Sequence, residues 1–505
     1  MSMNPTAEQE DILDVVYDEE GDVIVNAYAG TGKTTTLKMI VQDNPDKKFI
    51  YLAYNKAVAK EAKKKFPENC FVTTVHGLAY RSFVPTLDQT KFHSKLSNFW
   101  KTKDYIKHFN IESLKSLIPP DEDLFVLASD IRSMVQKFKN SDAGILDESF
   151  ANFGNFREKI YDDSVKSAAV EIANRIWEAE IDMDSPVPMD HNTYLKMWEL
   201  SEPTIGKFDI VLFDEAQDAN PVMLSVVDKL QGVRKVYVGD TYQAIYGWNG
   251  AVNAMSMVDV DHVKYLTKSW RFGSVVADEA NKILSILSKD PVPLQGNDKI
   301  KSVKGEINQE EQYTVIFRTN GSLANFAVRA LQDEKTVYVE GGVKELCNDL
   351  LALYHLKVGE FHPGMSKYKP YKTFGEVMEE AKVDVVIKRD VAFIEEHGDS
   401  TPELLELLKE KTLDKRSIKR ANILLTTAHK SKGLEFENVL IWDDFKIFNR
   451  NKEDKLKPIQ FVEREEVNLL YVAVTRAIKT LSVNPLYEAF IEESLARKGL
   501  DSDQI

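Results

Sequence analysis

A short glycine-rich segment near the start of the chain has the residue types and spacing of a phosphate-binding loop. It lies between a β-branched stretch, residues 22–26, and a stretch with helical character, residues 35–41. The segment, which has alanine where the pattern usually has its first glycine, reads Ala27-Tyr28-Ala29-Gly30-Thr31-Gly32-Lys33-Thr34. Backbone N–H groups of such a turn, together with the N-terminus of the following helix, bind phosphate. Lys33 is therefore predicted to reach the β- and γ-phosphates and the Thr34 hydroxyl to hold Mg²⁺, with a plain glycine turn as the alternative.

Two segments with polar side chains come at the ends of apolar stretches that are typical of buried parallel strands. Asp214 and Glu215 come directly after residues 208–213, and Gln243 follows the strand-like residues 235–240. Ligands bind at the carboxyl ends of such strands, so these side chains are expected at the ligand-binding edge of a sheet. Asp214 is predicted to bind Mg²⁺ through water, Glu215 to polarise the attacking water, and Gln243 to contact the γ-phosphate or that water. The pattern predicts hydrolysis of a nucleotide as well as its binding.

Aromatic and basic residues outside these segments suggest contacts with nucleic acid. Tyr242, Tyr246 and Trp248 lie close together in the sequence, where they either stack on bases or pack in the core. Two basic clusters either line a groove for a phosphate backbone or form solvated helix faces; they are Lys56, Lys60, Lys63, Lys64, Lys65 and Arg416, Lys419, Arg420, Lys430, Lys432. The net charge of −15 does not exclude nucleic acid, because a local basic groove is enough to bind it.

The length and composition indicate a water-soluble protein of several domains. A chain of 505 residues is too long for one hydrophobic core, so about two to four domains are expected. Cys70 and Cys347 lie far apart without metal-ligand spacing, which favours a reducing compartment over a disulfide framework or a zinc site. The first residues lack the features of a signal peptide, and no apolar run reaches transmembrane length. We therefore expect a cytoplasmic protein with no membrane partner.

Strand-like and helix-like stretches alternate over much of the chain, which predicts an α/β fold with parallel, doubly wound sheets. Early strands are expected at residues 49–53 and 71–74. Residues 81–195 instead show helical periodicity, notably at 123–138 and 164–179, which predicts a helical insertion. The second half has a charged helical stretch at 344–418, and its strands are expected at 313–320, 336–340, 422–427, 438–442 and 480–483.

These segments, taken with others in the same chain, resemble the ordered motifs of superfamily 1 helicases of the UvrD/Rep type. The segments that carry the resemblance are residues 27–34, 74–79, 214–218, 239–246, 266–272, 427–436 and 468–477. Within that class the chain is similar to the helicase core of the eukaryotic F-box DNA helicases, through residues 188–198, 269–273, 429–436 and 443–445. About twenty-five residues precede the phosphate loop, so neither an F-box nor a ubiquitin-ligase role is expected.

The resemblance implies two RecA-like P-loop motor domains with parallel sheets, each carrying a mainly helical insertion, with ATP and Mg²⁺ bound between them. The first motor domain (1A) is expected at residues 1–80 and 196–275, with its insertion (1B) at 81–195. The second motor domain (2A) is expected at residues 276–343 and 419–505, with a small inserted subdomain (2B) at 344–418.

The resemblance also assigns roles to single residues around the nucleotide. Arg271 would contact the γ-phosphate and Arg476 would act as an arginine finger, both offsetting charge on the transferring phosphoryl group. Trp270 would stack on adenine or else pack at a domain edge, Gln9 would read the edge of adenine, and Glu435 would lie near the nucleotide. The residues that would hold the nucleotide's phosphates are Ala29, Gly30, Thr31, Gly32, Lys33, Thr34 and Thr35.

A track for single-stranded DNA is implied in the same way. Its residues would be Tyr54, Asn55, Lys56, His76, Tyr246, Trp248 and His429. Asn249 stands where such helicases often have arginine, so a contact in that loop is left open.

The activity implied is ATP-dependent movement in the 3′ to 5′ direction along single-stranded DNA, with unwinding of partial duplexes, in repair, recombination or replication. The alternative is a DNA-stimulated ATPase that strips or remodels protein–DNA complexes without processive unwinding. An added nuclease is disfavoured, because no carboxylate-rich domain follows Arg476. A monomer acting in the cytoplasm, on a bacterial nucleoid or in a virus-infected host, is expected, with replication or recombination proteins as further partners.

Overall fold

The computed structural model describes most of the chain as two compact units. The described residues are 4–119, 124–151, 153, 161–247, 254–360, 366–369, 371–381, 384–448 and 464–499. Unit 1 comprises Met1–Ala27 and Lys33–Leu266, and unit 2 comprises Tyr28–Gly32 and Thr267–Ile505. The predictions for Trp248 and Asn249 lie outside the described residues.

Unit 1 is built on a six-stranded sheet in which every pair of neighbours is parallel, in the order β3-β2-β4-β5-β1-β6. Its strands are Val23–Ala27 (β1), Phe49–Ala53 (β2), Cys70–Thr74 (β3), Ile210–Asp214 (β4), Arg234–Gly239 (β5) and His262–Leu266 (β6). The parallel α/β fold predicted for this half is confirmed. The edge strand β6 was not predicted, because its first four residues alternate between half-buried and exposed and include Lys264.

Successive residues of the central strands enter two different cores on the two faces of this sheet. Ile50 and Leu52 of β2 pack in one core, while Phe49, Tyr51 and Ala53 pack in the other. All five side chains are buried, which is why this strand reads as a continuous apolar run.

Helices cover the sheet and fill the long connection between β3 and β4. The α-helices of unit 1 are Ala7–Asp18, Lys33–Asp43, Lys56–Ala62, Val75–Ser82, Gln89–Ser97, Thr102–His108, Leu124–Asn140, Asp163–Ile181, His191–Leu200 and Pro221–Lys229. The helices predicted at 123–138 and 164–179 are confirmed, each with slightly longer bounds. Within the described part of this connection, no strand interrupts the helices.

The helical connection has a hydrophobic core of its own. That core runs from Tyr105 to Val187, whereas Phe92, Tyr194 and Trp198 pack in the core of the sheet. Helices at both ends of the connection therefore anchor it to the sheet, and the residues between them form a separate packed body.

Unit 2 contains a second six-stranded parallel sheet, in the order β7-β12-β11-β8-β10-β9. Its strands are Val303–Lys304 (β7), Tyr313–Phe317 (β8), Val337–Val339 (β9), Ile423–Thr427 (β10), Phe436–Ile441 (β11) and Ala477–Ser482 (β12). The five predicted strands of this half are confirmed, while the two-residue β7 was not predicted. Its α-helices are Ser274–Leu287, Asn320–Gln332, Lys344–Val358, Phe374–Glu380, Val385–His397, Thr401–Lys411, Ala428–Ser431, Arg464–Val474 and Pro485–Arg497.

The helices of residues 344–411 share one hydrophobic core with this second sheet. Leu350, Phe393 and Leu408 from the helices pack together with Val315 and Leu425 from the strands. The small insertion of unit 2 is thus joined to its sheet more closely than the helical connection of unit 1. Among the described residues of either unit, no helix is both long and apolar enough to cross a membrane.

Candidate active site

The phosphate loop owes its shape to two glycines. Gly30 and Gly32 have φ values of 74° and 87°, in the left-handed region that favours glycine. A Cβ atom at Gly30 would lie 2.6 Å from Ser269 Oγ and 2.7 Å from Arg271 Cβ, so a side chain is excluded there. Ala27, by contrast, is the buried last residue of β1, with no positive φ to adopt, and this explains why alanine can stand in that place.

Lys33 is the first residue of the helix Lys33–Asp43 and lies among carboxylates of unit 1. Its Nζ atom is 3.0 Å from Glu215 Oε2, and its side chain is 16% exposed. Burial disfavours the ammonium charge, but the attraction of Glu215, Asp214 and Asp240 outweighs it and raises the pKa of Lys33 above its usual value. These residues lie at or after the ends of β1, β4 and β5, which are adjacent in the sheet, so they share one edge of it. Their roles toward a nucleotide stay predictions.

Asp214 ends β4 and is almost completely buried. It accepts hydrogen bonds from the Tyr51 hydroxyl and, at 3.0 Å, from the backbone N–H of Glu215. Burial and the neighbouring charge of Glu215 raise the pKa of Asp214 to about 6, against the opposing effect of Lys33. A carboxylate here is held in one orientation by its neighbours, and carboxylate and hydroxyl oxygens are the donors that Mg²⁺ prefers.

Glu215 adopts a backbone conformation that is uncommon for a residue with a side chain. Its φ of 53° and ψ of 40° lie in the left-handed region, where non-glycine residues cluster at functional sites. Its Oε2 atom accepts from both Lys33 Nζ and Gln217 Nε2, the latter at 2.6 Å. The turn therefore presents the carboxylate to Lys33 and away from the strand direction.

Gln217 ties the two acidic segments together. Its Oε1 atom accepts from the backbone N–H of Asp240 at 3.1 Å. A Cβ atom at Gly239 would lie 2.2 Å from that oxygen, so glycine is required for this approach. Gln243 is also tied to Asp240, since its Nε2 donates to Asp240 Oδ2 at 2.6 Å; its predicted contact with phosphate or water stays a prediction.

Gln9 has both ends of its amide bonded within unit 1. Its Nε2 atom donates to Thr36 Oγ1 at 2.9 Å, and its Oε1 atom accepts from Thr6 N–H at 3.0 Å in a capping box. The side chain is buried, and it locks the first helix to the helix of the phosphate loop. Its role in reading adenine stays a prediction.

Two arginines of unit 2 form hydrogen bonds with the same two segments, Leu434–Glu435 and Thr475. Arg271 donates from Nε to Glu435 Oε2 at 2.9 Å and from Nη1 to the Thr475 carbonyl at 3.1 Å. Arg476 donates from Nη1 to the Leu434 carbonyl at 3.1 Å and from Nη2 to Thr475 Oγ1 at 3.0 Å. Two residues separated by about 200 positions in the sequence are thereby fixed by one pair of turns.

The loop segment Tyr28–Gly32 packs beside these arginines within unit 2. The backbone N–H of Trp270 donates to the Gly30 carbonyl at 2.8 Å, and Ala29 N–H donates to the Tyr471 hydroxyl at 3.5 Å. The Trp270 side chain is 48% exposed, with Lys268 Nζ 5.8 Å from its ring centroid. An exposed indole face is available for stacking, and stacking on adenine stays a prediction.

Two of the predicted track residues of unit 1 present parallel rings. The ring centroids of Tyr54 and Tyr246 are 6.2 Å apart, and their planes differ by 9°. Asn55 caps the helix Lys56–Ala62 by accepting from Ala57 and Val58 N–H, which turns Lys56 out at the helix start. An aromatic pair beside a helix N-terminus offers both a stacking surface and a phosphate contact.

The two predicted track histidines are held in their neutral forms at pH 7. Burial lowers the pKa of His76, whose Nε2 is 2.8 Å from Asn192 Oδ1. Burial, followed by the charge of Arg318, lowers the pKa of His429 in unit 2 to about 4. Both side chains can therefore donate and accept hydrogen bonds without adding charge.

Two parts of the chain match models of known protein families. Residues 6–261 match the UvrD/REP helicase N-terminal domain, and residues 298–485 match the UvrD-like helicase C-terminal domain. The chain belongs to the UvrD-like DNA helicase family. The family inferred from the motifs is confirmed.

Similar proteins come from eukaryotes and bacteria. The chain is 30% identical to F-box DNA helicase 1 of Gallus gallus, over 98% of this chain and 50% of that protein. It is 30% identical to F-box DNA helicase protein 1 of Schizosaccharomyces pombe, over 95% of this chain and 57% of that protein. A probable DNA helicase II homolog of Mycoplasma pneumoniae is 23% identical, over 93% and 82% respectively. The chain spans about half the length of the first two relatives.

Three side chains of this UvrD-like site escaped the sequence analysis. They are Tyr51, Gln217 and Asn192, which orient Asp214, Glu215 and His76 respectively. Tyr51 gave a signal because it carries the one polar side-chain atom in the fully buried strand β2. Gln217 and Asn192 lie within segments that carry the family resemblance.

Proposed function

We propose that this UvrD-like protein is an ATP-dependent DNA helicase or translocase that moves 3′ to 5′ along single-stranded DNA and unwinds duplex DNA. We place it in repair, recombination or replication. The observation that supports this best is the cluster of Lys33, Asp214 and Glu215 at the carboxyl ends of adjacent parallel strands, in a chain of this family. Direction and pathway come from the resemblance alone.

In this proposal the chemistry of hydrolysis is divided among a few side chains. Residues 29–35 bind the phosphates, with Lys33 neutralising the β/γ oxygens. Thr34 and Asp214 would hold Mg²⁺, which when bound offsets charge on those oxygens. Glu215 accepts the proton of the attacking water, and the guanidinium groups of Arg271 and Arg476 stabilise the transferring phosphoryl group.

The remaining assignments belong to the same proposal. Domains 1A, 1B, 2A and 2B have the divisions given above, and the protein acts as a cytoplasmic monomer on single-stranded and partial-duplex DNA. Tyr54 and Tyr246 form a base-stacking surface, supported by their nearly parallel rings. Asn55, Lys56, His76, Trp248 and His429 complete the track, and replication or recombination proteins are further partners.

The first test is ATP hydrolysis with and without single-stranded DNA, in the wild type and in Lys33→Ala. We expect strong stimulation by DNA and a loss of roughly a hundredfold in the variant, because the charge that faces the phosphates is removed. Lys38→Ala, on the same helix and outside the carboxylate cluster, is the matched control and should keep wild-type rates. Hydrolysis indifferent to DNA, or a Lys33→Ala variant as active as Lys38→Ala, would contradict the proposal.

Tailed duplexes distinguish the two forms of the proposal. Unwinding of a duplex with a 3′ tail, and not of one with a 5′ tail, is expected for a 3′ to 5′ helicase. DNA-stimulated hydrolysis that displaces bound streptavidin from biotinylated single strands, without unwinding, would instead support the remodelling ATPase.

The stacking surface predicts a loss of DNA affinity on Tyr54→Ala. Stacking of one base is worth about 1–3 kcal/mol, so we expect roughly tenfold weaker binding of single-stranded DNA. Fluorescence anisotropy of a labelled oligonucleotide measures this, with Tyr17→Ala as control, since Tyr17 is 68% exposed and lies on the first helix of unit 1. Equal affinities of the two variants would remove Tyr54 from the track.

A further inference from the structure

A cavity of about 300 Å³ lies in the helical connection of unit 1, apart from the nucleotide-binding residues. Aromatic rings form much of its wall. Tyr105 is buried, Trp100 meets it edge-on with ring centroids 5.4 Å apart, and Phe99 is 76% exposed. Arg132 lies over the Tyr105 ring, with its guanidinium carbon 4.5 Å from the ring centroid. The Arg132 guanidinium covers one face of Tyr105, so the stacking surfaces left for a ligand are the exposed Phe99 ring and the other face of the guanidinium.

The polar groups of the cavity are balanced in charge. Glu180 and Asp190 each lie 2.8 Å from Lys139 Nζ, and Lys139 is fully buried. Lys139 does not itself line the cavity, but its charge offsets one of the two carboxylates, and Arg132 in the lining offsets the other. Such a lining disfavours a free anion and a free metal ion equally, and it suits a flat, uncharged ligand with hydrogen-bonding edges.

Hydrogen-bonding groups are present at the wall of the cavity. Gln136 donates from Nε2 to Asp190 Oδ2 at 2.7 Å, which directs its amide along the wall. Arg132 donates from Nη1 to Thr102 Oγ1 at 3.2 Å and also bonds the Tyr105 hydroxyl, which leaves further donors of its five for a ligand. Amides, carboxylates and guanidinium groups are the side chains that read the edges of bases.

The cavity is joined to the DNA track by the first turn of the helix His191–Leu200. His191 lines the cavity, and the next residue, Asn192, holds the ring of His76 at 2.8 Å. The Tyr194 hydroxyl bonds both His191 Nδ1, at 3.1 Å, and the His76 carbonyl, at 3.4 Å. A nucleotide beside His76 is therefore close in the structure to the wall of the cavity.

The helix that carries Tyr105 also has exposed basic residues, of which Lys101 directly follows the lining residue Trp100. Lys101, Lys103 and Lys107 are exposed at or within the helix Thr102–His108. In a chain with a net charge of −15, this basic edge is suited to the phosphates of a bound strand. Together these features fit a nucleotide whose base enters the cavity while its phosphate stays outside.

We propose that this cavity binds one unpaired base of the DNA strand held by the protein. The proposal rests on the proposed function, since it requires a bound single strand. The base stacks on Phe99 and on the face of the Arg132 guanidinium that is turned away from Tyr105, and its edge faces the Gln136 amide. Holding one base out of the stack would fix the strand at a defined nucleotide.

The test is an abasic scan of a single-stranded oligonucleotide, in which each base is removed in turn and the affinity is measured by fluorescence anisotropy. In the wild type, removal of one particular base is expected to weaken binding roughly tenfold. Phe99→Ala should bind intact DNA about tenfold more weakly and should lose nothing further when that base is removed. Arg132→Lys keeps the charge but loses the planar face. Like Phe99→Ala, it should bind intact DNA more weakly and lose no further affinity when that one base is removed.

Phe125→Ala is the matched control, because Phe125 is a half-exposed phenylalanine of the same helical connection that does not line the cavity. It should retain the wild-type scan. Suppose that Tyr54→Ala weakens binding of single-stranded DNA. If Phe99→Ala then weakens binding equally at every abasic position, or does not weaken it at all, the base site is overturned. If wild type bound no single-stranded DNA, the proposed function would fail, and the base site with it.

Discussion

Arg476→Lys is expected to lower DNA-stimulated ATP hydrolysis by about a thousandfold, at the low end of the loss caused by removing an arginine finger. The guanidinium is buried, and three of its N–H groups are directed by Val472, Leu434 and Thr475. An ammonium group cannot make these bonds and also present a planar fork to a phosphoryl group. Phosphate release at saturating single-stranded DNA and ATP measures the effect.

Arg234→Lys is the matched control for the loss of stability that follows from replacing an arginine bonded to backbone carbonyls. Arg234 likewise donates to backbone carbonyls, those of Val15, Val16, Glu19 and Gly21, but it has no proposed role at the nucleotide. Both variants should lower the melting temperature, and only Arg476→Lys should lose hydrolysis while it still binds single-stranded DNA. If hydrolysis by Arg476→Lys stayed within about threefold of that by Arg234→Lys, Arg476 would be a structural residue of the Leu434 turn.

The positions of Arg271 and Arg476 depend on the same two backbone segments. Both guanidinium groups bond to the segments around Leu434–Glu435 and Thr475. A shift of either segment changes the position of both cations at once. A ligand that binds to one guanidinium therefore also affects the orientation of the other, within unit 2.

Most strands, and the polar residues at their ends, could be predicted because the residues within each strand are enough to indicate them. A continuous apolar run that ends in a carboxylate, such as the one ending at Asp214, is specified by burial on both faces and needs no knowledge of the neighbours. The same reasoning found Phe49–Ala53 and Ile423–Thr427. It missed His262–Leu266, since an edge strand with exposed Val263 and Tyr265 lacks the apolar run.

The partners that orient the site could not be predicted, because they are distant in the sequence. Tyr51 meets Asp214 across 163 positions, and Asn192 meets His76 across 116. Gln9 looked like an exposed residue of a first turn and is instead buried against Thr36. Residue type and spacing predict which groups do chemistry, while the groups that hold them depend on the packing of the whole unit.

Glu215→Gln is expected to lower the rate of ATP hydrolysis by about 10²- to 10⁴-fold while ATP binding persists. The carboxylate is presented by a left-handed turn, with Oε2 3.0 Å from Lys33 Nζ. An amide of nearly the same shape keeps the turn but cannot accept a proton from the attacking water. Lys33 retains Asp214 and Asp240 as neighbouring charges, so its ammonium group stays available for the phosphates.

Glu202→Gln is the matched control, because Glu202 has a φ of 54°, as Glu215 has 53°, and is exposed, with no proposed role at the nucleotide. Single-turnover hydrolysis and the affinity for a fluorescent ATP analogue separate chemistry from binding. We expect Glu202→Gln to match wild type in both measurements and Glu215→Gln to match it in affinity alone. A Glu215→Gln variant that binds the analogue far more weakly would make Glu215 a support for Lys33, whereas unchanged hydrolysis would assign proton acceptance to another group.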